Sequence, residues 1–230
     1  MIVHVFWDID GTLLTTARAG VFALEDAARE VLGAEVDFST MRTAGLTDAE
    51  IALEVCRAHG HEERAGEYLR AYGWLLPERL HWRRGEVLLN VRENLAALHA
   101  RDDAANLLLT GNIREGAEAK LRHYGLWEFF EDTGGAFSVE GSDRPSIARA
   151  ARALLRDGYD ADRTYVIGDT PHDISCGKVI GARTVAVATG PGYTLAELQA
   201  CEPWLAVEEL PAPEAFMALL GLESVSTAGG

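Results

Sequence analysis

Two pairs of aspartates are the residues of this chain best suited by type and spacing to do chemistry. Asp8-Ile9-Asp10-Gly11-Thr12-Leu13 leaves the apolar run at residues 2–7. In a strand, residues two apart share one side, so Asp8 and Asp10 approach each other where the chain begins to turn. Carboxylates that close repel unless a cation or a shared proton relieves them. An Asx-type turn closed by Gly11 is the structural alternative. Gly168-Asp169-Thr170-Pro171-His172-Asp173 follows a second apolar run at residues 164–167. A carboxylate at a helix start is favoured by the dipole, which accounts for Asp173 but not for Asp169.

Two weaker signals accompany these pairs. Leu107-Leu108-Leu109-Thr110-Gly111-Asn112 ends an apolar run in a hydroxyl and a glycine. Thr110 and the following backbone N–H groups can cradle an anion at the next helix start. Arg144-Pro145-Ser146 opens a helical stretch with a cation that opposes the helix dipole. A solvated arginine is the alternative there.

The elements that must position these residues are legible as alternating runs. Short β-branched segments at 2–7, 106–110, 136–139, 164–167 and 183–188, with a sixth candidate at 204–208, are bounded by turn residues. Helical patterns at 114–124, 144–157, 172–180 and 194–200 follow them. This alternation predicts an α/β fold with a parallel sheet between two helical layers. All four signals then fall just past strand ends at one sheet edge. Several carboxylates, a hydroxyl and a cation gathered there make an oxygen-rich site for a hard divalent ion, Mg²⁺ first among them. A carboxylate of the same set can serve as nucleophile toward a bound phosphate.

One connection is too long. About 95 residues separate Gly11 from Asn106, where a crossover needs about 30. The helix around residues 89–101 serves as the crossover, which leaves 16–84 as an insertion. It reads as helical, with Val21, Leu24, Ala28 and Val31 at helical spacing and further patterns at 48–59 and 62–76. Thr47 ahead of Glu50 has the form of a capping box. Such an insert sits over the carboxyl end of the sheet, where open α/β sheets bind ligands.

Composition removes other classes. The 230 residues carry 36 acidic against 21 basic side chains, a formal charge of −15. That balance opposes nonspecific nucleic-acid binding and docking on anionic lipid. Three scattered cysteines form no ligand pair and no disulfide framework. No run approaches the roughly 20 apolar residues of a membrane span. The expectation is a cytoplasmic chain, monomeric or homodimeric. Only two lysines are present, Lys120 and Lys178.

The two aspartate motifs, about 160 residues apart and in this order, resemble those of the haloacid dehalogenase superfamily of hydrolases. The likeness is to the phosphatases with a helical cap after the first strand, and it covers nearly the whole chain. It implies a Rossmann-like core at 1–15 and 85–230 and a cap at 16–84. It further implies that Asp8 is the nucleophile and a Mg²⁺ ligand. Asp10 would be the general acid and then base, its main-chain carbonyl also a ligand. Thr110 would hydrogen-bond the transferring phosphoryl group, with Gly11, Gly111 and Asn112 around the phosphate. Asp169 and Asp173 would complete the metal site. Arg144 stands where the family usually has lysine, and arginine is longer, planar and always charged; Lys120 lies one helix too early to replace it.

The branches sort by chemistry. Family dehalogenases lack the second aspartate, and Asp10 is present. The phosphonate-cleaving branch needs a cap lysine, and 16–84 contains none. The expected function is a phosphomonoesterase acting on a small phosphorylated metabolite, with phosphoglycolate phosphatase the nearest named activity. Sugar phosphomutase and a non-catalytic phosphate-binding relative are the alternatives. The loop at 43–48 would face the substrate. Arg18 and Arg42 are candidates to read an acidic group or are solvated cap residues. His59 and His61 read as surface histidines, and His172 as a neighbour of the metal rather than a ligand.

Overall fold

The computed structural model describes residues 2–38, 45–139, 142–155 and 159–222. Arg42, Thr43 and Ala44, the end of the helix read at 144–157 and the tail at 225–230 lie outside the described residues. In chain order the elements are β1 (Val3–Trp7), β2 (Leu14–Thr15), α1 (Ala19–Leu32), α2 (Asp48–Ala58), α3 (Ala65–His81), β3 (Glu86–Val87), α4 (Val91–His99), β4 (Ala104–Ile113), α5 (Arg114–His123), β5 (Gly135–Ser138), α6 (Arg144–Leu154), β6 (Thr164–Gly168), α7 (Pro171–Ile180), β7 (Arg183–Val187), α8 (Leu195–Ala200), β8 (Leu205–Val207) and α9 (Pro213–Leu219).

Six strands form one parallel sheet in the order β5-β4-β1-β6-β7-β8. β1 lies at the point where the order reverses, and such switch points open a crevice at the carboxyl edge. Both faces of the sheet are apolar, as burial between helices requires. Val5 and Trp7 pack with Leu95 of α4, Leu121 of α5 and Phe216 of α9. Phe6, between them in sequence, packs on the opposite face with Ile147 and Ala151 of α6 and Ile180 of α7. The strand's twofold side-chain period thus serves both layers.

Helices α1, α2 and α3 have their own apolar cluster, including Leu24, Ala28, Val55, Tyr68, Tyr72 and Leu76. They lie between β2 and β3, which pair antiparallel. α3 runs five residues beyond the expected 76, through Pro77, because Leu76 and Leu80 share the buried stripe. β4 also exceeds expectation. It continues past Thr110 to Ile113, with its register against β5 broken between Leu109 and Ile113. α9 and the β2–β3 ribbon were not foreseen by periodicity, being short. Among the described residues no helix is long and apolar enough to cross a membrane.

A polar residue stands in the middle of this sheet. Asn106 is buried, its Oδ1 accepts from the Trp7 indole (3.0 Å), and its Nδ2 donates to the Leu95 carbonyl (3.1 Å). Asn106→Leu leaves the indole N–H without its partner, which costs about 1–3 kcal/mol. Urea unfolding should show a lower midpoint at unchanged slope; an unmoved midpoint would mean that the indole finds another acceptor.

Candidate active site

Asp8 just past β1, Thr110 within β4 three residues short of its end, and Asp169 just past β6 come to one edge of the sheet. Asp8 follows β1 directly, and its N–H donates to the Ile167 carbonyl of β6 (3.0 Å). Ligand oxygens of Asp8, Asp169 and Asp173 lie within 4.8 Å of one another, and all three residues are buried. Gly11 permits this crowding. It has φ +83°, and a Cβ there would lie 2.4 Å from Asp169 Oδ2. Thr12 Oγ1 donates to Asp169 Oδ1 (3.4 Å).

Asp173 holds two jobs at once. It is the third residue of a capping box on α7, its Oδ2 accepting from the Thr170 hydroxyl (2.6 Å) and N–H (3.1 Å). Its Oδ1 accepts from Arg144 Nη1 (3.1 Å). Arg144 is itself buried at the start of α6, and Asp143 caps that helix through the Ser146 N–H (2.8 Å). The arginine therefore faces inward at a helix start because two carboxylates, Asp173 and Asp8, hold its charge there.

The electrostatics follow from burial. Burial pushes the Asp8 carboxyl up to about 7; Asp173 adds to this, while Arg144 and the Thr110 hydroxyl pull it back. Burial, then Asp173 and Asp8, push Asp169 up to about 9. A set of buried carboxylates this reluctant to ionise together matches the donors a hard divalent cation prefers. The fit of the residues to Mg²⁺ rests on this donor set.

Asp10 stands at the rim, with about two-fifths of its side chain exposed (43%). Asn112 turns its amide toward this residue, donating from Nδ2 to Asp10 Oδ2 (3.0 Å) and to Thr110 Oγ1 (2.8 Å). Gly111 lies under Arg144, whose Nη2 would be 3.0 Å from a Cβ there. Arg18 and the histidines stay apart from this cluster. Arg18 stacks toward Phe22, His59 Nδ1 pairs with the Val55 carbonyl, and His61 lies beside Glu63. His172 faces the loop before α2, where a Cβ on Gly45 would collide with its ring.

Two residues of the site have no assigned role in the sequence reading, where Lys120 is set aside and Asp48 only closes the loop at 43–48. Lys120 is buried, its Nζ donating to Asp10 Oδ2 (2.5 Å) and Asn112 Oδ1 (2.6 Å). Its distance along the chain hid it, yet a signal existed: Gly116, Ala117, Lys120 and Leu121 form the buried stripe of α5. Asp48 of α2 is also buried, and its Oδ2 accepts from the Ile113 N–H (2.8 Å). Burial pushes its carboxyl up to about 6 against the pull of Lys120. Two more bonds join the same segments: Ala49 N–H to Ser138 Oγ (3.2 Å) and Arg144 Nε to the Gly45 carbonyl (3.0 Å).

Residues 5–178 match the family model described as haloacid dehalogenase-like hydrolase. The chain belongs to the haloacid dehalogenase-like hydrolases. Among relatives, it is 30% identical over 206 residues to a Dickeya dadantii protein named "Probable phosphatase IndB", covering 89% of this chain and 88% of that one. It is 29% identical over 191 residues to the tyrosine-protein kinase PtkA of Mycobacterium tuberculosis, covering 82% of this chain and 62% of that protein. The fold is shared with CbbY from Rhodobacter sphaeroides, crystallised with phosphate, at a TM-score of 0.71 and 17% identity, over 91% of this chain and 95% of that one.

Raised carboxyls have a consequence for stability. The folded chain binds more protons than the unfolded one between the ordinary 3.8 and about 9 for Asp169. By linkage, this contribution to stability falls as pH rises through that window. A cation bound at the carboxylates should offset the loss. Calorimetry in chelator and in millimolar Mg²⁺ should therefore show a larger Mg²⁺-dependent rise in Tm at pH 8 than at pH 6. No response at either pH would remove the cluster's reading as a cation site.

Proposed function

We propose that this hydrolase is a Mg²⁺-dependent phosphomonoesterase acting on a small phosphorylated metabolite through an aspartyl-phosphate on Asp8. The observation that carries the reading is the buried Asp8 carboxylate, set among Asp169, Asp173, Arg144 and Thr110, with Asp10 at the open rim. The name of the Dickeya relative supports the same activity class.

In this reading an Asp8 carboxylate oxygen attacks phosphorus. The bond to the ester oxygen breaks, and Asp10 gives that oxygen its proton, so the alcohol leaves neutral. Water then attacks the phosphorus of the acyl phosphate as Asp10 takes back a proton. Inorganic phosphate departs and the Asp8 carboxylate is restored. Thr110 hydrogen-bonds the phosphoryl oxygens with Gly111 beside the phosphate's place; the expected N–H groups of Gly11 and Asn112 are spent instead on the Leu14 carbonyl (2.9 Å) and Thr110 Oγ1 (3.3 Å). Arg144 offsets the charge that Asp8 and phosphate bring together. Asp8, Asp169, Asp173 and the Asp10 main-chain carbonyl would hold Mg²⁺, which supplies charge neutralisation for phosphoryl transfer. The chain's −15 charge repels anionic substrates, so the sign must be inverted locally.

Residues 16–84 form a lid in this reading and residues 1–15 with 85–230 its base. The bonds Asp48–Ile113, Ala49–Ser138 and Arg144–Gly45 support the description, since each joins α2 or its leading loop to the sheet edge. A closed lid excludes water from the reacting centre. A substrate small enough to fit beneath it suits a soluble metabolite of the phosphoglycolate type.

With an aryl phosphate and Mg²⁺, Asp8→Asn should abolish turnover; a fully active Asp8→Asn enzyme would end the mechanism. Asp10→Asn should lower kcat by about 10²–10⁴-fold. Free phosphate should be the product from small phosphorylated metabolites, whereas an isomerised sugar phosphate would assign the chain to the mutases. Arg144→Ala should cost about 10²–10³-fold in kcat/KM, the scale for losing one charge-stabilising donor. Arg144→Lys should cost less, since it keeps the cation and loses only the bond to Gly45.

A further inference from the structure

Among the described residues the site holds two buried cations, and each bonds a different carboxylate. Arg144 pairs with Asp173 and faces Asp8. Lys120 bonds Asp10 and lies near Asp48. The lysine is not among the groups that govern Asp8. Its nook is formed from both parts of the molecule, with the Tyr72 hydroxyl of α3 beside the ammonium and Gly20 of α1 close enough that a Cβ would lie 3.9 Å from Nζ.

The bonds around Asp10 have a direction. Lys120 Nζ (2.5 Å) and Asn112 Nδ2 (3.0 Å) both donate to Oδ2. Lys120 also donates to Asn112 Oδ1 (2.6 Å), so the three side chains close a triangle, and Thr110 anchors it through Asn112 (2.8 Å). Among the described residues no donor reaches Asp10 Oδ1. A carboxylate pinned through one oxygen by two donors presents the other in a set direction, and a positioned group reacts faster than a wandering one. We propose that Lys120, acting with Asn112, is a positioning residue that clamps Asp10 Oδ2 and turns Oδ1 toward the ester oxygen and then toward water. This rests on the reading of Asp10 as the acid and base.

Because the chain has only two lysines, ¹⁵N-lysine labelling gives one buried and one exposed ammonium signal. Asp10→Asn should shift the Lys120 resonance and leave that of Lys178, which donates to the Cys201 carbonyl, in place. An unmoved Lys120 signal overturns the clamp, and this measurement needs no change at Lys120. In kinetics with an aryl phosphate and Mg²⁺, Lys120→Gln should lower kcat by about 10–100-fold, the scale of a misplaced catalytic group. KM should stay within about twofold, and Lys120→Arg should recover part of the rate. In the Asp10→Asn background, Lys120→Gln should cost less than about twofold, because partners acting as one unit are non-additive. An equal loss in both backgrounds, or a raised KM at unchanged kcat, overturns the proposal in favour of a structural lysine. Full activity of Asp10→Asn would instead remove the acid–base reading, an outcome separable from the clamp by the lysine spectrum.

Discussion

Mutual repulsion among Asp8, Asp169 and Asp173, buried together at the carboxyl edge of a parallel sheet, is the constraint on which the site depends. Each carboxylate is at a strand end or helix start that the sheet topology has already placed, so none can retreat far. Burial alone would force protons onto them, and Asp8 and Asp169 sit well above the ordinary aspartate range. Charge of the opposite sign relieves the repulsion while leaving the carboxylates ionised. Arg144 provides part of it, and the remaining oxygens face one another as ligands for a cation would. The glycines belong to the same constraint, since Gly11 admits Asp169 where any side chain would collide.

The arginine also changes how the parts of the molecule are joined. A lysine at position 144 would end in one ammonium. The guanidinium instead reaches two ways, toward Asp173 through Nη1 and toward the Gly45 carbonyl through Nε. The planar fork thereby ties the loop before α2 to the carboxylate cluster. Asp48 and Ala49 add bonds to Ile113 and Ser138 within one turn of α2. The helices α1–α3 carry their own apolar core, yet Ile113 of β4 belongs to it and Tyr72 and Leu76 of α3 face Gly116 of α5, so their attachment to the sheet edge combines an apolar contact with these polar bonds.

Lys120 shows how a second cation fits without competing with the first. It lies 110 positions from Asp10, on a helix whose outer face is strongly charged. Its burial is tolerable because Asp10, Asn112 and Asp48 surround it, and their attraction outweighs the desolvation that works against its charge. The division of labour between Arg144 and Lys120 separates the carboxylate proposed to attack from the carboxylate proposed to move protons.

Thr110, read as the last residue of its strand, is inside β4, but the sequence alone made legible the strand–helix alternation, the parallel sheet and the place of Asp8 and Asp169 just past strand ends. These follow from local periodicity and from the rule that parallel strands share a carboxyl edge. It also determined the long helical insertion, since the gap between Gly11 and Asn106 exceeds any single crossover. Which cation meets which carboxylate depends instead on how distant elements pack. Arg144 was readable as a cation at a helix start, but its turn inward depends on the packing of α6 against α7. The buried stripe of α5 hinted at Lys120, but its pairing with Asp10 spans 110 positions of sequence. The same is true of Asp48, whose partner lies 65 residues away. Such contacts depend on how the inserted helices settle on the sheet, and no local pattern encodes a distance between elements that are remote in sequence.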